Sequence, residues 1–447
     1  MLRQLFEVFD GLTARLAAAR VTFADLEILG NGCCSPDRAS ARAQWRVMTT
    51  DIPGELLDEL PPAQWAGHPN TLAGVMGWAA GVLGVGPQPV SSMPQVAAAD
   101  VVLLLVDGLG DRLLHRHADV APTLSTLHTT TLRAGFPATT ATSITSLTTG
   151  TACGLHGIIG YAFRPDDHCR TTGPRRMLNA LRWTMDAADG PSAMATYPPD
   201  LVAPLAGALA GLAEHGVSIS YVMPGEFRGT GLTQVAFRAT GRHLAANTPD
   251  LVREGVGTAL SQRSGRGFVY AYLSDLDAAG HRYGPGSPEW VRTLRTVDAL
   301  VADLAADLPA DTVLAVTGDH GMLAAGRRVD LDADPHWTAG VEMIAGEPRV
   351  RHLYVADGAR DDVLATWTTE LGADARVATR EQAVDEAWFG IVVDPDIAQR
   401  IGDVVAVARD RTVLVRGAAE PLEARMIGHH GAWAADEQLV PLLVAHG

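Results

Sequence analysis

Three short stretches set carboxylates, two of them with histidines, just past apolar runs: Val106-Asp107-Gly108, Asp277-Ala-Ala-Gly-His281 and Gly318-Asp319-His320-Gly321. A fourth, Gly428-His429-His430-Gly431, lies near the C-terminus. Three aspartates and three histidines suffice to hold two divalent cations side by side, and such a pair beside a hydroxyl performs phosphoryl transfer. Hydroxyls stand between the first two stretches, in Phe136-Pro137-Ala-Thr139-Thr140-Ala-Thr142-Ser143-Ile-Thr145-Ser146. Pro137 marks a loop, and the run behind it reads as the start of a helix. A threonine there would give its phosphorylated form backbone N–H donors and the positive end of a helix dipole. Singly, each residue has a plainer reading. Asp107-Gly108 is a turn dipeptide, Asp277 is a helix cap with His281 on the surface, and His430 is a solvated loop histidine. The metal reading rests on their occurring together, in this order, at the ends of apparent strands.

Three runs must supply those strand ends. Asp100-Val-Val-Leu-Leu-Leu-Val106 is apolar on both faces, as a central parallel strand requires. Gly267–Leu273 and Thr312–Thr317 repeat the pattern, and residues 288–306 between them carry the 3.6-residue period of a crossover helix. Ligands of open α/β sheets gather at the carboxyl ends of the strands, so the clusters can share one site. Helices are also expected at about 2–20 and from Thr71 to Leu83, with a loop over 84–94. Residues 161–250 and 345–425 are expected as insertions. The second reads as a small α+β unit with a strand near 350–355, a helix near 360–371 and a hairpin near 404–416.

The chain has 447 residues, a formal net charge of −16 and a hydrophobic content of 47%. That is enough apolar sequence for a sizeable core. All the Lys+Arg cations are arginine. The acidic balance argues against a nucleic-acid polymer or an anionic membrane as partner, though not against a small anionic substrate held by metal ions. The first residues lack the apolar core of a signal peptide, and the apolar stretch near 72–85 is too short to span a bilayer. A cytoplasmic protein is therefore expected. The four cysteines (Cys33, Cys34, Cys153, Cys169) read as reduced structural thiols. Sequence gives no reading of oligomeric state.

Taken together, the motifs resemble the alkaline phosphatase superfamily, and within it the nucleotide pyrophosphatase/phosphodiesterase branch. The residues that carry the resemblance are Val106-Asp107-Gly108, Phe136-Pro137-Ala138-Thr139-Thr140, Thr149-Gly150 leading to His156-Gly157, and Asp277-Ala-Ala-Gly-His281 with Tyr283-Gly-Pro285. Gly318-Asp319-His320-Gly321-Met322 and Gly428-His429-His430-Gly431 complete the set. It spans about residues 70–447. The resemblance implies an α/β, alkaline-phosphatase-like three-layer sandwich, with a mostly parallel central sheet flanked by helices and a small α+β cap insertion. Residues 1–65 form an N-terminal extension outside it, and 66–447 the catalytic domain.

Carried over by position, the resemblance implies one metal held by Asp107, Asp319 and His320 beside Thr140, and a second by Asp277, His281 and His430. Mixed carboxylate–imidazole shells suit zinc better than magnesium. It implies a phosphoric ester hydrolase in which Thr140 attacks in line and water releases the phosphothreonine, acting on a small-molecule phosphodiester such as a nucleotide. Ser143 stands where many relatives carry an asparagine that donates to the phosphoryl oxygen. His156 is expected to brace the loop behind the helix.

Three other readings compete. A phosphomonoesterase or phosphonate hydrolase on the same site would need extra cations, for which Arg133, Arg282, Arg327 and Arg328 are sources. A sulfatase would use Cys34, because Cys34-Ser-Pro36-Asp-Arg38 fits the formylglycine signature, but that signature precedes Asp107 here rather than following it. A non-catalytic binding module would have no reason to keep all six ligands and the hydroxyl.

Overall fold

A computed structural model describes residues 57–62, 67–86 and 91–447. The helix expected at about 2–20 and the Cys33-Cys34 segment lie outside the described residues.

The large sheet has seven strands: β1 (Asp100–Val106), β2 (His128–Arg133), β3 (Ser218–Met223), β4 (Arg242–Ala245), β5 (Gly267–Leu273), β6 (Thr312–Thr317) and β7 (Leu439–His446). Their spatial order is β2-β7-β6-β1-β5-β3-β4. Only β7 runs against the others, pairing antiparallel with β2 and β6. The runs apolar on both faces, β1, β5 and β6, are buried throughout and stand side by side at the centre. Their side chains alternate between two cores, as the pleat demands. Val101, Leu103 and Leu105 pack with Trp78, Val82, Ile144 and Leu147. Val102, Leu104 and Val106 pack with Val256, Trp290, Leu294 and Val297.

Helices α1 (Val75–Val82) and α2 (Thr140–Thr149) thus cover one face. Helices α3 (Pro249–Ser261), α4 (Asp275–Tyr283) and α5 (Pro288–Ala306) cover the other. This is the expected three-layer α/β sandwich. In-register pairing aligns Val106 with Leu273 and Leu105 with Thr317, so the chain leaves all three central strands at one edge. There the metal-ligand motifs begin.

A second, antiparallel sheet is formed by Val341–Glu347, Val350–Val355, Val404–Ala408 and Ala375–Thr379, in that spatial order, with the helix Arg360–Leu371 packed on it. Val405 and Val407 face the other way, into a cluster with Phe136, Ala141, Trp388 and Trp433. The cap therefore rests on the loop that leads into α2.

Two expectations need correction. Residues 404–416 do not form a hairpin. Both edges of Val404–Ala408 are already taken by Val350–Val355 and Ala375–Thr379, so Val413–Val415 pairs instead with Arg328–Asp330. Nor is 161–250 wholly an insertion, because it supplies β3 and β4 to the large sheet. β4 is a short, largely exposed edge strand with a polar sequence, and leaves little apolar signal.

Candidate active site

The hydroxyl-rich helix α2 is buried along its whole length, which makes its hydroxyls countable. Thr145, Thr148 and Thr149 donate to the carbonyls of Ala141, Ile144 and Thr145. This back-bonding lets a threonine run survive inside a helix. Thr142 donates to Ile158 O, and Ser146 pairs with His156 Nε2 at 2.9 Å. His156 Nδ1 in turn accepts from Ile158 N, so the histidine braces the following loop as expected. Burial, with Arg400 nearby, lowers its pKa to about 3, so it is neutral. Thr139, the residue before the helix, has its side chain beside Glu347. Two hydroxyls are left. Ser143 Oγ is buried without a partner. Thr140, the first residue of the helix and 8% exposed, holds Oγ1 3.2 Å from His320 Nε2.

The six expected ligands converge on that hydroxyl. His320 Nε2 lies 3.4 Å from Asp107 Oδ1 and 3.6 Å from Asp319 Oδ2. Asp277 Oδ1 lies 3.4 Å from His281 Nε2 and 3.9 Å from His430 Nε2. The two histidines approach each other to 3.3 Å, and His430 stacks on His320 at 3.5 Å. Four residues between Asp277 and His281 are one helical turn of α4, which puts both on one face.

Each imidazole is oriented from behind. Nδ1 of His281, His320 and His430 donates to the carbonyls of Gly428, Gly321 and Ala138, leaving Nε2 with its lone pair toward the centre. Facing them, Asp107 Oδ1, Asp277 Oδ1 and Asp319 Oδ2 are buried without hydrogen-bond partners. Burial, then the neighbouring Asp319 and Asp277, raises the Asp107 carboxyl well above its ordinary range, and burial also raises Asp277. Unpartnered carboxylate oxygens opposite unprotonated imidazole nitrogens form a donor set that divalent cations satisfy. Two triads have ligand atoms within 4.8 Å of one another, Asp107–Asp319–His320 and Asp277–His320–His430, with His320 between them.

The family model described as Type I phosphodiesterase / nucleotide pyrophosphatase matches residues 101–433, and so takes in every one of these motifs. The chain belongs to this family. Members of this family depend on metals, in keeping with the donor set at this centre. Solved structures share its fold. Murine ectonucleotide pyrophosphatase/phosphodiesterase 5 is 18% identical, covering 77% of this chain and 87% of its own, with a TM-score of 0.59. An inactive variant of that protein, with a threonine replaced by alanine, is known in complex with AMP. Phosphonoacetate hydrolase from Sinorhizobium meliloti 1021, with phosphonoformate, is 18% identical over 77% of this chain and 89% of its own, with a TM-score of 0.54. The catalytic subunit of human GPI ethanolamine phosphate transferase 3 is 39% identical over 58 residues, which are 13% of this chain and only 5% of that relative's length.

This family member also uses residues that its sequence did not advertise. The Tyr272 hydroxyl donates to Asp107 Oδ2. A tyrosine in a buried strand usually finds a partner for its hydroxyl, but Tyr270 in the same strand has none, so sequence could not single out Tyr272. Asp319 Oδ1 is held by the backbone N–H groups of Gly108 and His320, each at 3.1 Å. The fully buried Arg349–Glu437 pair is bidentate, at 2.9 and 2.8 Å. Glu437 also accepts from Ala432 N and Ala434 N, so the pair fixes the loop that follows His430. Partners 88 residues apart give no local pattern to read. Of the arginines considered as substrate cations, Arg327 is paired with Asp374 and Arg328 donates to the carbonyls of Ala424 and Met426. Arg282 lies over the Tyr283 ring at 5.2 Å.

Proposed function

We propose that this chain hydrolyses a small-molecule phosphodiester, such as a nucleotide ester, through a phosphothreonine on Thr140. The observation that carries this is the threonine hydroxyl at the start of α2, which reaches His320 Nε2 at 3.2 Å within the ring of six candidate ligands. Two divalent cations, in our reading zinc, would be held by Asp107, Asp319 and His320 and by Asp277, His281 and His430, and when bound would supply positive charge for phosphoryl oxygens and acidify a nearby hydroxyl.

The chain's own groups account for the rest. Thr140 Oγ1 forms the bond to phosphorus as the ester oxygen leaves with its electron pair. Water then attacks the phosphothreonine and returns the threonine hydroxyl. The first turn of α2 offers N–H groups without intrahelical partners, which with the helix dipole receive the phosphoryl oxygens. Ser143, one turn on and without a partner, takes the place of the asparagine of relatives as a donor. A threonine-to-alanine change described as inactive in the murine neighbour agrees with a required threonine.

The phosphonoacetate hydrolase neighbour favours a second reading, cleavage of a phosphonate or monoester at the same centre. The test is one panel of nitrophenyl diester, nucleotide diesters, monoesters and phosphonates, given to the wild-type protein and to Thr140→Ala. We expect diester turnover, lost in the variant while its zinc content is kept. Full activity in Thr140→Ala would remove that residue from the reaction, and turnover of phosphonates alone would select the second reading.

A further inference from the structure

Beyond the six ligands, the described residues hold one more group whose ligand atoms lie within 4.8 Å of one another: Asp111, His115 and His128. It shares no residue with the catalytic groups. Asp111 opens the short helix Asp111–Arg116 behind the Asp107 loop, His115 follows one turn later, and His128 begins β2 at the far edge of the sheet. The Asp111 side chain is buried (8% exposed) and aimed at both rings. Its Oδ1 lies 2.7 Å from His128 Nε2, and its Oδ2 lies 3.5 Å from His115 Nδ1. Thr131 Oγ1 donates to Oδ2 at 3.2 Å and fixes the carboxylate from its other side. The rings meet edge to face with centroids 4.9 Å apart.

We propose that Asp111, His115 and His128 form a third divalent transition-metal site, taking zinc or cobalt and structural rather than catalytic in role. Two imidazoles and one carboxylate, with an open side for water, are a donor set such ions accept. The side chain of His115 is 60% exposed, which provides the entry path. Without metal, His115 Nδ1–H donates to Asp111 O at 2.8 Å and His128 Nε2–H donates to the carboxylate. Metal binding moves each proton to the other ring nitrogen, so both imidazoles stay neutral and the cation replaces the hydrogen bonds. Thr131 is the outer partner that orients a ligating carboxylate. A bound ion would tie the segment following Asp107 to the strand that leads into the Thr140 loop. It would thereby raise stability without entering the reaction.

The test is metal counting on the full chain, equilibrated with zinc and dialysed, with visible spectroscopy of the cobalt form. The wild type is expected to hold three ions and His115→Ala/His128→Ala two, with ester hydrolysis unchanged. His115→Asn, at an exposed position, serves if the double variant does not fold. Its cobalt affinity at this site should fall more than about 100-fold, since losing even an outer-sphere partner costs 10–100-fold. Equal metal counts and cobalt spectra in variant and wild type would overturn the proposal and leave a simple Asp–His hydrogen bond. In Asp277→Asn/His430→Ala the third ion should persist. Its retention there, with no other metal bound by the wild type, would sink the catalytic reading and leave this one standing.

Discussion

Tyr272 and Glu347 show how single side chains tune the centre from behind. Tyr272 donates to the Asp107 oxygen that does not face His320, and so fixes which oxygen remains for a cation. Tyr272→Phe should lower metal affinity or kcat by about 10–100-fold, the usual cost of an outer partner, with little change in KM for a nitrophenyl diester. Unchanged metal affinity and kcat would make Tyr272 a packing residue. Glu347 is buried beside Thr139, and burial pushes its carboxyl up to about 8. From its ordinary 4.5 up to about 8, the unfolded chain has released a proton that the folded chain keeps. Glu347 therefore contributes stability below that window that is lost as pH rises through it. The melting temperature of Glu347→Gln relative to wild type should climb between pH 5 and pH 8, and a flat difference would contradict the assignment.

At the scale of elements, the site depends on loops that touch because they leave adjacent strands. A Cβ at Gly110, behind β1, would stand 2.8 Å from Gly321 Cα, behind β6. Gly110→Ala must push the Asp319-His320 loop away, at a cost of about 1–3 kcal/mol in overpacking, and metal content and activity should fall together. The loop after His430 hangs on the buried Arg349–Glu437 pair. Arg349→Met leaves Glu437 buried and unpaired, which should destabilise by about 3–5 kcal/mol in denaturant unfolding. A stable Arg349→Met with full activity would show that the loop needs no such anchor. The strands β1, β5 and β6 and the helix α5 were legible because an apolar run or a 3.6-residue period is a local property. β3, β4 and the partner of Val413–Val415 were not. β3 is buried between β5 and β4, but its serines break the apolar run, whereas the edge strand β4 buries little, and which edge remains free depends on pairings made elsewhere.

For the molecule as a whole, buried neutral histidines weaken stability in acid. Burial, with Arg400 and Arg380 respectively, lowers His156 and His352 to about 3 from an ordinary 6.5. As pH falls from 6.5 toward 3 the unfolded chain takes up protons that the folded chain refuses, so stability falls in that window. His352→Gln should flatten the acid limb of the melting curve, and an unaltered limb would place the titration elsewhere. Chelation should also lower the melting temperature, because ions that bind the folded state alone stabilise it by mass action.

Residue order alone made the available chemistry legible: six candidate ligands, a hydroxyl-rich helix start, and three strand ends to carry them. Residue type and local spacing suffice for that, because side-chain reactivity and strand-forming apolar runs are written in neighbouring residues. The folded arrangement was needed to show which hydroxyl reaches His320, that Tyr272 and the Arg349–Glu437 pair brace the candidate centre, and that the cap rests on the Thr140 loop. Those facts depend on which distant groups share a buried space, and a hydrogen bond between residues 88 or 165 positions apart leaves no periodic trace in the chain.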